Sequence, residues 1–423
     1  MTETETSGVP EIATQSFSVN GRTYSPPPRP VAVICVDGCD DAYLQAAFAR
    51  DAMPNLAAIC RTGFRGLADC VLPSFTNVNN TSIITGVPPS VHGIAGNYFY
   101  DASFDKEVMM NSGRFLRAPT ILSAAAAAGR KVGVVTAKEK LLAILNHQLK
   151  GIAFSAEKAD LARQETHGID HVEALVGRRV PVIYSAEASL YVLWAGIALM
   201  EHGLADFLYL STTDYMQHTY APDAAESIEF YAKIDRELGR LHGLGAIFGL
   251  TADHGMNAKH GADGQPNVIY LESVLDEKFA PGFRVILPIT DPYVVHHGAL
   301  GSFAVIYLPD GPALGDVCDW LRAQPGITEV YDRETAARQL ELPFDRLGDI
   351  VVMSSREVVL GRRPADHDLS ALHGALRSHG GRFEQKVPFI VSRPLNAAYQ
   401  ARADRGGLRN LDIFDFAING ASL

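Results

Sequence analysis

Four short runs of mostly apolar residues, at 31–36, 131–136, 207–211 and 246–251, are separated by longer stretches of helical pattern at 119–128, 188–202 and 225–242. Continuous apolar strands suit a sheet covered on both faces, and strands alternating with helices predict an α/β fold with parallel strands. Such sheets place their ligands beyond the carboxyl ends of the strands. Asp37, Lys138, Asp214 and Asp253 each follow one of the four runs by a few residues, so four separate strands aim polar groups at one edge.

Other segments frame this core. Residues 16–25 alternate around Asn20-Gly21, a hairpin signal, and Pro26 to Pro28 with Pro30 stiffen the approach to the first strand. A helix is expected around 44–50. Residues 264–347 change character, with a strand at 303–308, a helix at 312–324 and a short strand at 329–331, and read as a small α+β insertion. The run 349–354 is expected to return to the main sheet. The predicted organisation is a catalytic core of 30–263 and 348–423, an insertion or cap of 264–347 and an N-terminal hairpin and lead-in of 1–29.

Composition narrows the function classes. A formal net charge of −11 argues against binding a nucleic-acid backbone, which calls for a basic face. The five cysteines, Cys35, Cys39, Cys60, Cys70 and Cys318, show no CxxC spacing and read as reduced thiols rather than a disulfide framework. The first fifteen residues are polar and acidic, unlike a secretory signal, and the apolar stretch 188–200 is too short to span a bilayer. A cytoplasmic protein is expected, without nucleic-acid or membrane partners; a homodimer stays open.

Chemistry concentrates in a few segments. Asp253 and His254, in Thr-Ala-Asp-His-Gly-Met, are two metal-ligand types side by side at a strand end. Asp37 at the end of the first strand reads equally well as a helix N-cap. Thr76 lies in Pro-Ser-Phe-Thr-Asn ahead of a helical pattern at 78–86, where a hydroxyl serves as a cap or, beside a metal and a helix N-terminus, as a nucleophile toward phosphorus. Asp214 and His218, four apart, share a helical face and read as an ordinary ion pair or as joint ligands. His379 sits in a glycine-flanked turn. Taken together, Asp37, Thr76, Asp253 and His254 would form one four-ligand site. Asp214, His218 and His379 would form another with an open position. Carboxylates, imidazoles and a hydroxyl suit zinc or another late first-row divalent ion.

The order Asp, Pro-x-x-Thr, Asp-x-x-x-His, Asp-His-Gly, His-Gly resembles the alkaline phosphatase superfamily, from Asp37 to His379 and outside the insertion. The stretch PSFTNVNNTSIITGVPPSVHGIAGN is most similar to the nucleotide pyrophosphatase/phosphodiesterase branch. That resemblance implies an alkaline-phosphatase-like core, two zinc ions per subunit, Thr76 as nucleophile and Asn97 as an amide donor to a phosphoryl oxygen, with His218 and His379 also contacting substrate. Within the branch the chain most resembles the phosphonoacetate hydrolases. That likeness implies hydrolysis of a carbon–phosphorus bond in a small anionic phosphonate, with Lys138 and Lys140 holding its carboxylate. Two apart in extended chain, the two lysines would point the same way, but on the residues alone they read as a solvated loop.

The main competing reading is a phosphodiesterase or nucleotide pyrophosphatase, which would stack a nucleobase on Tyr98, Phe99, Tyr100 or Tyr215. A related mutase would surround its nucleophile differently, and a binding or sensor protein would not need the complete ligand set. His92 reads as part of a structural turn, His260 as an outside candidate for substrate contact, and His296-His297 as a pair with nothing nearby to complete a site. His147, His167, His171 and His202 read as helix or loop surface.

Overall fold

The computed structural model describes residues 12–289, 299–370, 372 and 374–422. Among them, seven strands form the main sheet, in the order Phe64–Asp69, Lys386–Val391, Ile247–Thr251, Val31–Cys35, Phe207–Ser211, Val132–Thr136 and Ile152–Ser155. The four expected strands are neighbours in this sheet and run parallel, their registers locked from Ile247↔Val31 and Val31↔Phe207 to Thr136↔Ser211. All four are buried along their whole length, which explains why their sequences do not alternate. Phe207 and Phe248 are fully buried, and truncating such a ring to alanine costs about 3–5 kcal/mol.

Helices cover the sheet. The Ala186–Glu201 helix starts at Ser185, whose side chain accepts from the Ala188 N–H, and is buried over most of its surface between the sheet and its neighbours. The Ala225–Gly243 helix is amphipathic and inserts Phe230, Tyr231, Ile234 and Leu238. Neither these nor any other described helix is long and apolar enough to cross a membrane. The hairpin Phe17–Val19 and Arg22–Tyr24 closes at Asn20-Gly21, as the sequence indicates.

One expectation is overturned. Ile350–Ser354 does not return to the main sheet; it pairs with Phe303–Tyr307 and Ile327–Asp332 in a separate four-stranded antiparallel sheet, completed by Arg284–Ile286. A fully apolar run fits the interior of either sheet, so its composition could not choose between them. The segment that rejoins the main sheet is Lys386–Val391, antiparallel to both neighbours. Its Pro388 argues on sequence rules against an interior strand.

The small sheet carries its own hydrophobic core, and that core also takes in Leu72, Phe75 and Val78 around the start of the Thr76–Thr85 helix. The helix bearing the candidate nucleophile is therefore clamped between the two sheets at the carboxyl edge of the main one.

Candidate active site

The Thr76–Thr85 helix begins two residues before the expected start, so Thr76 is its first helical residue. Its sequence, TNVNNTSIIT, has no apolar face, yet every residue is buried. Such burial is tolerable only if the polar side chains are paired. Asn79 is bonded to both the N–H and the carbonyl of Val71, and Thr81 and Thr85 donate back to carbonyls one turn earlier. Ser82 bonds His92. Asn80 donates from Nδ2 to Asp253 Oδ2 at 3.0 Å, while its Oδ1 accepts from Tyr209 and Ser211. The two hydroxyls of the Phe207–Ser211 strand thus fix which end of the Asn80 amide faces Asp253.

The strand-end residues converge as expected. Gly38 follows Asp37 in a left-handed conformation (φ 70°), and a Cβ there would come within 3.0 Å of Asp214 Cβ, so glycine lets the two strand ends approach. Asp37, Asp214 and His254 place ligand atoms within 4.8 Å of one another, and so do Asp214, His218 and His379. Asp214 belongs to both groups and joins them. Asp253 lies alongside, its Oδ1 accepting from the Gly38 and His254 N–H groups.

All three histidines are oriented alike. His218 Nδ1 donates to the Arg377 carbonyl at 2.8 Å, His254 Nδ1 to the Gly255 carbonyl at 2.9 Å and His379 Nδ1 to the Ser74 carbonyl at 2.8 Å. Each bond uses the Nδ1 proton on a backbone carbonyl and turns Nε2 toward the carboxylates of the cluster, the orientation that metal-binding imidazoles require. Gly380 (φ 123°) closes the last turn, where a Cβ would sit 2.5 Å from the Phe75 ring. Two fully buried atoms in the cluster, Asp37 Oδ1 and His254 Nε2, have no hydrogen-bond partner, although they lie 3.2 Å apart. Buried polar atoms left unpaired in this way, among converging imidazole and carboxylate groups, fit a metal ion.

Electrostatics point the same way. Burial raises the Asp253 carboxyl well above its usual range, and the neighbouring Asp37 raises it further. Burial opposes charge on His254, but Asp253 and Asp37 outweigh it and push this imidazole up to about 9. His379 is lowered by burial and by His254 and His218. Burial alone would raise Asp214, yet Lys138 and His218 hold it well below the usual carboxylate range.

Beside the cluster lies a cavity of about 50 Å³ lined by Thr76, Asn77, Asn97, Met109, Asn111, Lys138, Lys140 and Leu141. Asn97 Oδ1 accepts from the Asn77 N–H at 3.1 Å, which leaves its NH2 as the available donor. The two lysines share this cavity, but not through extended chain: Lys138 caps the Glu139–Leu145 helix, and Lys140 lies in its first turn. The intervening Glu139 carboxylate turns onto Ser155. Lys138 Nζ also lies 2.8 Å from Asp214 Oδ1 and 3.3 Å from Asp37 Oδ2.

The remaining histidines stand apart. His92 is fully buried and bonded to Ser82 and to the Ile94 N–H, a structural role. His260 donates to the Gly261 carbonyl. His296 and His297 lie outside the described residues. Sequence reasoning did not single out Asn80, Ser74 or Arg377, which orient the ligands. A run of buried-type asparagines inside a helix with no apolar face was the available signal.

A family model described as type I phosphodiesterase/nucleotide pyrophosphatase matches residues 31–381. Two solved structures of phosphonoacetate hydrolase from Sinorhizobium meliloti 1021, one in complex with phosphonoformate and one with phosphonoacetate, are each 50% identical to this chain at a TM-score of 0.91, covering 97% of it and 100% of their own chain. Murine ectonucleotide pyrophosphatase/phosphodiesterase 5 is 18% identical at a TM-score of 0.61, over 93% of this chain and 96% of its own, a likeness of fold alone. The alkaline phosphatase PafA of Elizabethkingia meningoseptica is 33% identical over 89 residues, which are 21% of this chain and only 16% of that protein's length.

Proposed function

The chain belongs to the type I phosphodiesterase/nucleotide pyrophosphatase family, and on that premise we propose that it hydrolyses the carbon–phosphorus bond of phosphonoacetate to acetate and phosphate, with two zinc ions and Thr76 as nucleophile. The observation that carries this reading is the pairing of Lys138 and Lys140 with Thr76 and Asn97 around one small cavity. Its volume of about 50 Å³ corresponds to a few water-sized positions, room for a compact dianion rather than a nucleotide. The near-full-length likeness to phosphonoacetate hydrolase supports the same substrate.

In this reading Asp37, Thr76, Asp253 and His254 hold one zinc ion and Asp214, His218 and His379 the other. Bound zinc would lower the pKa of the Thr76 hydroxyl and neutralise phosphonyl oxygens. The Thr76 Oγ–phosphorus bond forms as the carbon–phosphorus bond breaks, and the bonding pair leaves with carbon. That charge delocalises into the adjacent carboxylate, where Lys138 and Lys140 stabilise it more strongly in the transition state than in the substrate. Protonation at carbon, balancing the proton released from the Thr76 hydroxyl, gives acetate. The Asn97 NH2 donates to a phosphonyl oxygen, and water then hydrolyses the phosphothreonine and returns the Thr76 hydroxyl.

The phosphodiesterase alternative needs a ring free to stack on a base. Phe99 packs edge-on against Phe115, Tyr100 against Tyr307 and beneath Arg284, Tyr98 bonds Glu107, and Tyr215 is partly buried against the main core. Assaying phosphonoacetate beside a nitrophenyl nucleotide separates the two, and preference for the nucleotide would overturn the proposal. The five cysteines are all free thiols, in keeping with a cytoplasmic site of action.

A further inference from the structure

Lys259 and Glu384 are both fully buried and form an ion pair with Nζ 2.9 Å from Oε1, outside either ligand group. Burying a charge pair is costly, and it persists only where geometry and further hydrogen bonds compensate. Here they do. Lys259 Nζ also donates to the Arg356 carbonyl at 2.7 Å, and Asn257 Nδ2 donates to the same Glu384 oxygen at 2.7 Å. The second Glu384 oxygen accepts from the Gly381 N–H at 3.1 Å, and the Glu384 carbonyl accepts from the Gly255 N–H at 2.7 Å.

The placement of these bonds is informative. Lys259 lies five residues beyond His254, and Glu384 five residues beyond His379. Gly255 directly follows His254, and Gly381 comes two residues after His379. One glutamate therefore grips both ligand-bearing loops just past their histidines. A two-residue ladder, Asn257↔Ser378 and Ala258↔Arg377, and a bond from the Lys259 N–H to the Leu376 carbonyl also tie them. The rings they present, His254 and His379, stack with centroids 3.5 Å apart, one in each group of ligands.

We propose that the Lys259–Glu384 pair is a positioning clamp that sets the spacing of the His254 and His379 loops and thereby the affinity of the site for its metal ions. This rests on the reading of the cluster as a metal site, but not on the identity of the substrate. Neither residue touches the reacting groups. The clamp works by fixing the loops that orient the ligand imidazoles, and loss of such supporting contacts typically weakens metal binding by about 10–100-fold.

The test is Glu384→Gln, which keeps the side-chain volume and an acceptor for the Gly381 N–H while removing the charge opposite Lys259. Zinc affinity is measured by competition with a chromophoric chelator, together with turnover as a function of added zinc. Weakening by about tenfold or more, with turnover restored by excess zinc at unchanged substrate KM, is the expected result. Should Glu384→Gln fail to fold, the double variant Lys259→Met/Glu384→Gln removes both buried charges and is expected to fold while binding zinc equally weakly. Wild-type zinc affinity in either folded variant, whatever its melting temperature, overturns the clamp. A wild-type chain without zinc affinity would instead contradict the metal site itself and, with it, the clamp.

Discussion

The Lys138 ammonium lies 2.8 Å from one carboxylate oxygen of Asp214, and the other oxygen of that carboxylate lies 3.0 Å from His218 Nε2. A single carboxylate thus joins the cation read as a substrate clamp to the metal-ligand group. Burial opposes charge on Lys138, but Asp214 and Asp37 hold its pKa above the ordinary lysine value while their carboxylates face it. With metal ions on these carboxylates, like charge would turn the ammonium toward the cavity it lines. Lys138→Ala is expected to lower kcat/KM for phosphonoacetate by about a hundredfold or more, and to lower it far less for an aryl phosphate, which has no carboxylate to hold. Equal losses on the two substrates would mean that Lys138 serves only the metal-ligand carboxylates.

Much of this arrangement was legible in the sequence because it depends on strand ends. Asp37, Asp214 and Asp253 follow strands whose apolar character is unmistakable, and parallel topology then brings them to one edge. The candidate histidine ligands were legible through spacing and turn chemistry: four residues on one helical face for His218, glycines for His379. What sequence could not reveal was partnership across distant segments. Ile350–Ser354 fits either sheet equally well, and Pro388 disguises an interior strand. Nothing local to Asn80 announces that Tyr209 and Ser211 turn its amide toward Asp253, nor does anything near Lys259 announce Glu384.

Thr76 begins its helix beside Asn97 and Lys138, almost completely buried. Thr76→Ala is expected to cut phosphonoacetate turnover by about a thousandfold or more. Mass spectrometry of acid-quenched wild-type enzyme in turnover should find phosphate on Thr76, and none on the variant. Retention of full hydrolysis by Thr76→Ala would remove the nucleophile from the account.

His92 gives a pH dependence of stability with a definite sign. Its Nδ1 accepts from the Ile94 N–H at 3.1 Å, so the neutral ring carries its proton on Nε2, facing Ser82. Burial lowers its pKa from 6.5 to about 3. The unfolded chain takes up this proton first, so the stability tied to neutral His92 is complete above pH 6.5 and is lost progressively as pH falls toward 3. By pH 5 the loss is about 2 kcal/mol. Thermal melts of wild type and His92→Gln from pH 7 to about pH 5 should show a steeper acid decline in wild type; parallel curves would contradict the assignment.

Metal-dependent cleavage of the carbon–phosphorus bond is read out by phosphate release from phosphonoacetate. The assay is run on the purified protein as isolated, after removal of metal by a chelator, and after zinc is restored. Phosphate and acetate are expected in equal amounts, with activity lost on chelation and recovered with zinc. Phosphate release that persists undiminished without metal, or zinc-loaded protein that releases none, would contradict it.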